Sequence, residues 1–376
     1  MRRLWLVALA VGMALAGGLI VQRARTEAEY RRRIEAGDAA LAEGRTYAAI
    51  EAFSGALAFK PGSMLAHLRR GEAYQQQELW DAAITDLTAA AGLDPNATQP
   101  LERLGEVYAE RGDFAKAADW YSQAADRDDS SAALAYRAGY GRYRAGQVAH
   151  AIRPLQRAVS QDPDAGQMHH ALGLALRDSG DSRSARASFE KAIEIAPTLL
   201  AAREALAELA ARDGEAAEHL RHLEALAAID PTASRHIAVA TAAARAGRTD
   251  RAVLALGSAS EVAPNDPRLH LALGHIWLLE AERRKDASAL RKASEALRHA
   301  ATAPQTSESL AIIGRLAYLQ GARGDANRLL ARAVRERPIW PEALKYQADA
   351  LRALGRMAEA DAALTAYAAL STAPSR

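Results

Sequence analysis

Cysteine is absent from all 376 residues, which removes disulfides, thiolate nucleophiles and thiolate metal sites. Aromatic residues reach only 5%, and runs of the β-branched residues that fit a pleated sheet are scarce. An excess of one charge is also lacking. With 48 basic and 46 acidic side chains the formal net charge is +2, whereas nucleic-acid binders concentrate basic charge. No HExxH, GxSxG or phosphate-cradle signature occurs. Gly139-Tyr140-Gly141 falls inside a predicted helix, follows no strand and lacks a third glycine at the required spacing. Nucleic acid, a small-molecule substrate, a resident cofactor and enzymatic activity are therefore not expected.

What is present is alanine and leucine, within a hydrophobic share of 49%. Both residues lose little on entering a helix, so the chain reads as all-α. One long uncharged run stands out, Leu4 to Val21, with Arg2 and Arg3 before it and Arg23 and Arg25 after it. As a helix it would reach about 27 Å, enough for a thin bilayer core. The first reading is one transmembrane helix, anchoring the chain through residues 4–21 in a single-pass location of the bacterial inner-membrane kind. The arginines that follow, Arg31 to Arg33 included, lean the body weakly towards the cytoplasm by the positive-inside rule. The competing reading is a cleaved export signal, with Ala14-Leu15-Ala16 as a small-x-small site and a periplasmic body.

Beyond residue 29 a 34-residue pattern recurs. Gly173, Ala185, Phe189, Ala192 and Pro197 mark it in one copy; Gly71, Ala83, Leu87, Ala90 and Pro95 mark it in another. Units start near 30, 64, 98, 132, 166, 200, 233, 267, 307 and 341. Each reads as two antiparallel helices. The small residue at the eighth position of the first helix permits a close crossing, and a turn follows, with glycines such as Gly112, Gly146 and Gly324. The second helix carries small, bulky and small residues on one face. Units of this kind bury a core only against their neighbours, so the product is a long surface and binding is the expected work. The eighth unit holds seven extra residues rich in charge, Glu280 to Asp286 among them, and reads as a hairpin tip projecting about 10 Å.

These positions resemble the tetratricopeptide repeat family, and Gly112–Asp128 (GDFAKAADWYSQAADRD) resembles its turn and second helix closely. The resemblance covers roughly residues 30 to 374. It implies a right-handed superhelical solenoid of about ten helix-turn-helix repeats whose first helices line a concave groove. It also implies that positions two, five, nine, twelve and thirteen of each unit face that groove. Read onto this chain, those positions hold acids in the opening units, Asp38, Glu72, Glu102, Glu106 and Glu110. The fourth unit offers Tyr136, Tyr140, Tyr143 and Arg144, with Arg137 beside them, and the fifth adds His170, Arg177 and Asp178. Tyrosine and arginine together are typical of binding hot spots; padding between units is the alternative role for the rings. The expected function is a membrane-anchored scaffold that holds a peptide or helix of a protein partner in the groove and supports assembly of a membrane or envelope complex. The acidic units would draw basic segments. The alternative is an exported periplasmic component of a polysaccharide or envelope assembly machine. Histidines do not add a metal site: His219 fills a packing position near His222, and His169 and His170 point to different faces.

Overall fold

The computed structural model describes the backbone of residues 2–300 and 305–372, with side chains from 17 to 300 and from 305 to 371. These residues form twenty α-helices and no strand. They divide into two compact units, one ending at Ser179 and the other starting at Gly180.

Unit one holds α1 (Arg2–Ala42), α2 (Thr46–Phe59), α3 (Met64–Gln76), α4 (Trp80–Leu93), α5 (Gln99–Glu110), α6 (Phe114–Arg127), α7 (Ala132–Arg144), α8 (Val148–Gln161) and α9 (Gly166–Asp178). α1 packs on α2, α3 on α4, α5 on α6 and α7 on α8, and α1 lies beside α3, α3 beside α5 and α7 beside α9. The reason is visible at the crossings. A methyl on Gly37, Gly71, Gly105 or Gly139 would stand within 3 Å of Phe53, Leu87, Tyr121 or Leu155, each sixteen residues later. Those four side chains are the buried plugs of their helix pairs. Among the turns, Gly112 and Gly146 adopt left-handed φ of 85° and 75°, where a Cβ would clash with the following carbonyl.

Unit two holds α10 (Ser182–Ile195), α11 (Leu200–Arg212), α12 (Ala216–Ile229), α13 (Ala233–Arg245), α14 (Thr249–Val262), α15 (Arg268–Arg284), α16 (Ala287–His299), α17 (Ser307–Leu319), α18 (Arg323–Ala333), α19 (Pro341–Ala353) and α20 (Met357–Thr372). The same plug recurs, with Gly274 against Leu297 and Gly314 against Leu330.

Three expectations are corrected. Among the described residues no helix is long and apolar enough to cross a membrane, so neither the transmembrane helix nor the single-pass location holds. Most of the run Leu4–Val21 lies outside the residues whose side chains are described. The described part of α1 passes from Leu19, Ile20 and Val21 straight to Gln22, Arg23, Arg25 and Glu27, and from Tyr30 it packs into the first repeat.

The insertion does not project as a 10 Å tip. A hairpin shares added length between its arms: α15 has 17 residues where α13 has 13, and α16 starts six residues before Ala293 rather than three. Each arm therefore gains about one turn, or about 5 Å. Most of the added charges are engaged. Glu280 is 7% exposed and meets Arg283, Arg284 and Thr249, while Glu282 pairs with Arg315. The ninth repeat turns at Gly321, φ 83°, whereas Gly324, expected at the turn, lies inside α18.

Candidate functional site

On the first-helix face of unit one the charges form a ladder in register with the repeat. Arg69, Arg103 and Arg137 stand 34 residues apart, at position six; Asp38, Glu72 and Glu106 stand 34 apart, at position nine. Positions six and nine are three apart on a helix, hence neighbours on its surface. Arg69 meets Asp38 at 3.4 Å and Glu72 at 3.0 Å. Arg103 meets Glu72 at 2.8 Å and Glu106 at 2.6 Å, and Arg137 meets Glu106 at 2.9 Å. Glu72 and Glu106 are thus each held by two arginines. Of the five acids in the expected acidic stretch, Asp38, Glu72 and Glu106 alternate with the three arginines, while Glu102 and Glu110 stand beside the ladder. A hollow of 410 Å³ opens over it, lined by Arg69, Glu72, Gln75, Arg103 and Glu110 among others. Glu110 accepts from Gln75 at 3.0 Å, and Glu102 lies 3.7 Å from Arg137.

The ladder gives way to aromatic rings on α7. Tyr136 and Tyr140 stack with centroids 5.7 Å apart and planes at 10°, and Tyr140 and Tyr143 stack at 6.3 Å and 28°. All three are half-buried. Arg144, exposed, lies over Phe114 at 4.3 Å and over Tyr140 at 6.0 Å. Tyr143 donates to Asp178 of α9 at 2.8 Å; burial, with that carboxylate beside it, pushes the phenol up to about 12. Burial raises Tyr136 too. Arg177 pairs with Asp178 at 2.9 Å. His170, also half-buried, is held below the usual histidine range by burial and by Arg177. The structure thus gathers Tyr136, Arg137, Tyr140, Tyr143 and Arg144 on one helix. Across from them lie His170 and Arg177 on α9, with Glu102 and Glu106 on α5.

Arg69 and Arg103 escaped the sequence reading, because position six was not counted among groove positions. Their signal was there, an arginine recurring every 34 residues three places before an acid.

Two other histidines tie helix starts to the linkers before them. His67 and His169 direct Nε2 to the carbonyls of Pro61 and Pro163, at 3.1 and 3.0 Å, and Arg203 does the same to Pro197 at 2.9 Å. Each sits at position four and ties the helix start to the preceding linker. His67 also meets Asp86 at 2.9 Å, a buried carboxylate that receives two hydrogen bonds from Arg70. His222 is 3% exposed, and burial lowers it to about 4. Among the described residues no group of three or more potential ligands is placed to hold a metal ion.

In unit two the corresponding face is covered at the eighth repeat, whereas Ala201 and Glu204 on α11 of the sixth stay exposed. His275, at position nine, is 2% exposed and meets the edge of Trp340 at 5.6 Å. Above it Arg245 bridges to Glu342, 97 residues on, at 2.5 Å. Arg315 lies between Glu282 and Asp349 with the Tyr318 and Tyr346 rings at 5.0 and 4.8 Å.

Residues 34–98, 68–132 and 136–199 match the tetratricopeptide repeat family, so the chain carries tetratricopeptide repeats over this stretch. No curated protein matches the sequence. Among solved structures, the C-terminal part of a TPR repeat-containing protein from Cytophaga hutchinsonii is 20% identical with a TM-score of 0.55, over 65% of this chain and 99% of that one. A tetratricopeptide repeat protein from Parabacteroides merdae is 17% identical with a TM-score of 0.46, over 65% and 97%. The first of these likenesses shows a shared fold.

Proposed function

We propose that the protein is a repeat scaffold that acts by binding rather than by catalysis. It captures a segment of a protein partner on the first-helix face of unit one, with Tyr136, Tyr140, Tyr143 and Arg144 as the main contacts. The observation that carries this reading is the contrast between the fourth repeat and the eighth. At the eighth repeat that face is covered by Trp340 and the Arg245–Glu342 bridge; at the fourth, three stacked tyrosines stay half-open, with a hollow beside Tyr136. Stacked rings cost little conformational entropy to hold in place and offer large contact area, which suits them to recognition.

The test is Tyr140→Ala combined with Tyr143→Ala. Partner capture in a pull-down should weaken at least about tenfold, the scale of one hot-spot side chain, while helix content by circular dichroism stays the same. Unchanged capture with intact helix content would remove the stripe from the binding surface.

A further inference from the structure

The end of the ladder bears on which kind of partner the tyrosine face accepts. In the second and third repeats the position-six arginine has a carboxylate on both sides, Asp38 and Glu72 for Arg69, Glu72 and Glu106 for Arg103. Arg137 is the third arginine of the register and has carboxylates on one side only. Its Nη1 reaches Glu106 and Glu102; three residues further on, where Glu72 and Glu106 stand in the earlier repeats, the fourth repeat has Tyr140. Among the described residues no acceptor is set against Nε or Nη2 of Arg137. Beside it lies a hollow of 280 Å³, between α7 and the start of α9, walled by Tyr136, Gln167 and Met168 and by the small residues Ala133, Ala165 and Gly166. Ala165, at the N-cap of α9, brings no side-chain oxygen to the first amides of that helix. Arg137 thus brings guanidinium donors to the wall of the hollow, and a guanidinium fork matches a carboxylate in plane.

We infer that the groove of unit one takes an acidic segment. One internal Asp or Glu side chain of the partner seats on Arg137, in the place of the missing position-nine carboxylate, and its apolar neighbours lie against Tyr136 and Tyr140. This rests on the tyrosine-face reading and reverses the sign expected from the acidic residues of the opening repeats, of which Asp38, Glu72 and Glu106 are paired with the ladder arginines.

The experiment uses the full chain and two pools of fluorescein-labelled, C-terminally amidated peptides. Each pool has randomised apolar positions around a fixed pair, Asp-Glu in one and Asn-Gln in the other, and binding is read by fluorescence anisotropy. The acidic pool should bind about tenfold more tightly, with the preference fading as salt rises. Tyr140→Glu supplies the absent carboxylate at the spacing of Arg69 and Glu72 and should erase the preference. Tyr140→Gln removes the ring without adding charge and should keep it, and circular dichroism verifies both folds. Equal binding of the two pools, weakened by Tyr140→Ala with Tyr143→Ala, would leave the tyrosine face standing and overturn the acidic inference. Binding of neither pool would overturn both. A preference that survives Tyr140→Glu, or one that appears only with a free C-terminus, would also overturn the seat at Arg137.

Discussion

Gly139→Ala and Gly257→Ala are one chemical change with opposite expected signs. Gly139 lies where α7 crosses α8. A methyl there would stand 2.7 Å from Leu155 Cγ, which can rotate aside, but also 3.0 Å from the Leu155 backbone nitrogen and 3.1 Å from the Ala151 carbonyl oxygen, which cannot. The helices must part, and Ala151, Leu155 and Ala158, all fully buried, lose contact as they do. Overpacking of this kind costs about 1–3 kcal/mol. Alanine regains about 0.5–1 kcal/mol of helix preference over glycine, which leaves a net loss centred on about 1 kcal/mol and reaching about 2.5 kcal/mol. Gly257 lies in α14, exposed, with nothing within 4 Å of an added methyl. Only the helix preference remains there, so the protein should gain about 0.5–1 kcal/mol. Guanidinium unfolding followed by far-UV circular dichroism measures both, alone and combined; with the sites in different compact units the shifts should add. A Gly139→Ala midpoint equal to or above that of the parent would refute the argument from the crossing, because it would mean that α8 yields without loss of packing.

Asp86→Ala should cost roughly 3 kcal/mol, since it takes from Arg70 its two hydrogen bonds to the buried carboxylate and leaves His67 the Pro61 carbonyl alone; a drop under about 0.5 kcal/mol in the same unfolding assay would show water substituting for the carboxylate. Gly321→Ala should destabilise by about 1–2 kcal/mol because φ there is 83°, whereas Gly324→Ala, inside α18 with open space around it, should be neutral or stabilising; the reverse ranking would place the turn at Gly324. Acid should weaken the protein through His275, which burial and Arg245 hold down to about 3. The folded imidazole stays neutral while the unfolded one protonates below about 6.5, so its contribution is complete above that value and falls with pH, by about 3 kcal/mol near pH 4. His275→Leu should flatten this acid limb of the unfolding midpoint, and a limb of unchanged slope would assign the acid sensitivity to other groups such as His222.

How far a feature could be read from the chain depended on whether its cause lies within one repeat or between repeats. The glycine at position eight and the plug sixteen residues later belong to one helix pair, so Gly71 with Leu87 and Gly105 with Tyr121 announce themselves by spacing alone. The tyrosine stripe was legible for the same reason, since Tyr136, Tyr140 and Tyr143 share one helix face. The ladder was not. A glutamate such as Glu72 looks like free negative charge until the arginine of the next repeat, Arg103, is set against it. Composition along one helix cannot supply that pairing; the 34-residue register can, once position six is compared across units. The charges of the insertion were misread in the same way, because Glu282 finds Arg315 33 residues on, in the following repeat. In unit two a position that the register assigns to the groove, that of His275, is sealed by Trp340 from a linker two repeats later and by a bridge across 97 residues. A repeat array invites the assumption that equal positions have equal exposure. The assumption fails where a side chain from a distant repeat crosses the face, so Arg137 and Tyr140 can be open while His275 is closed.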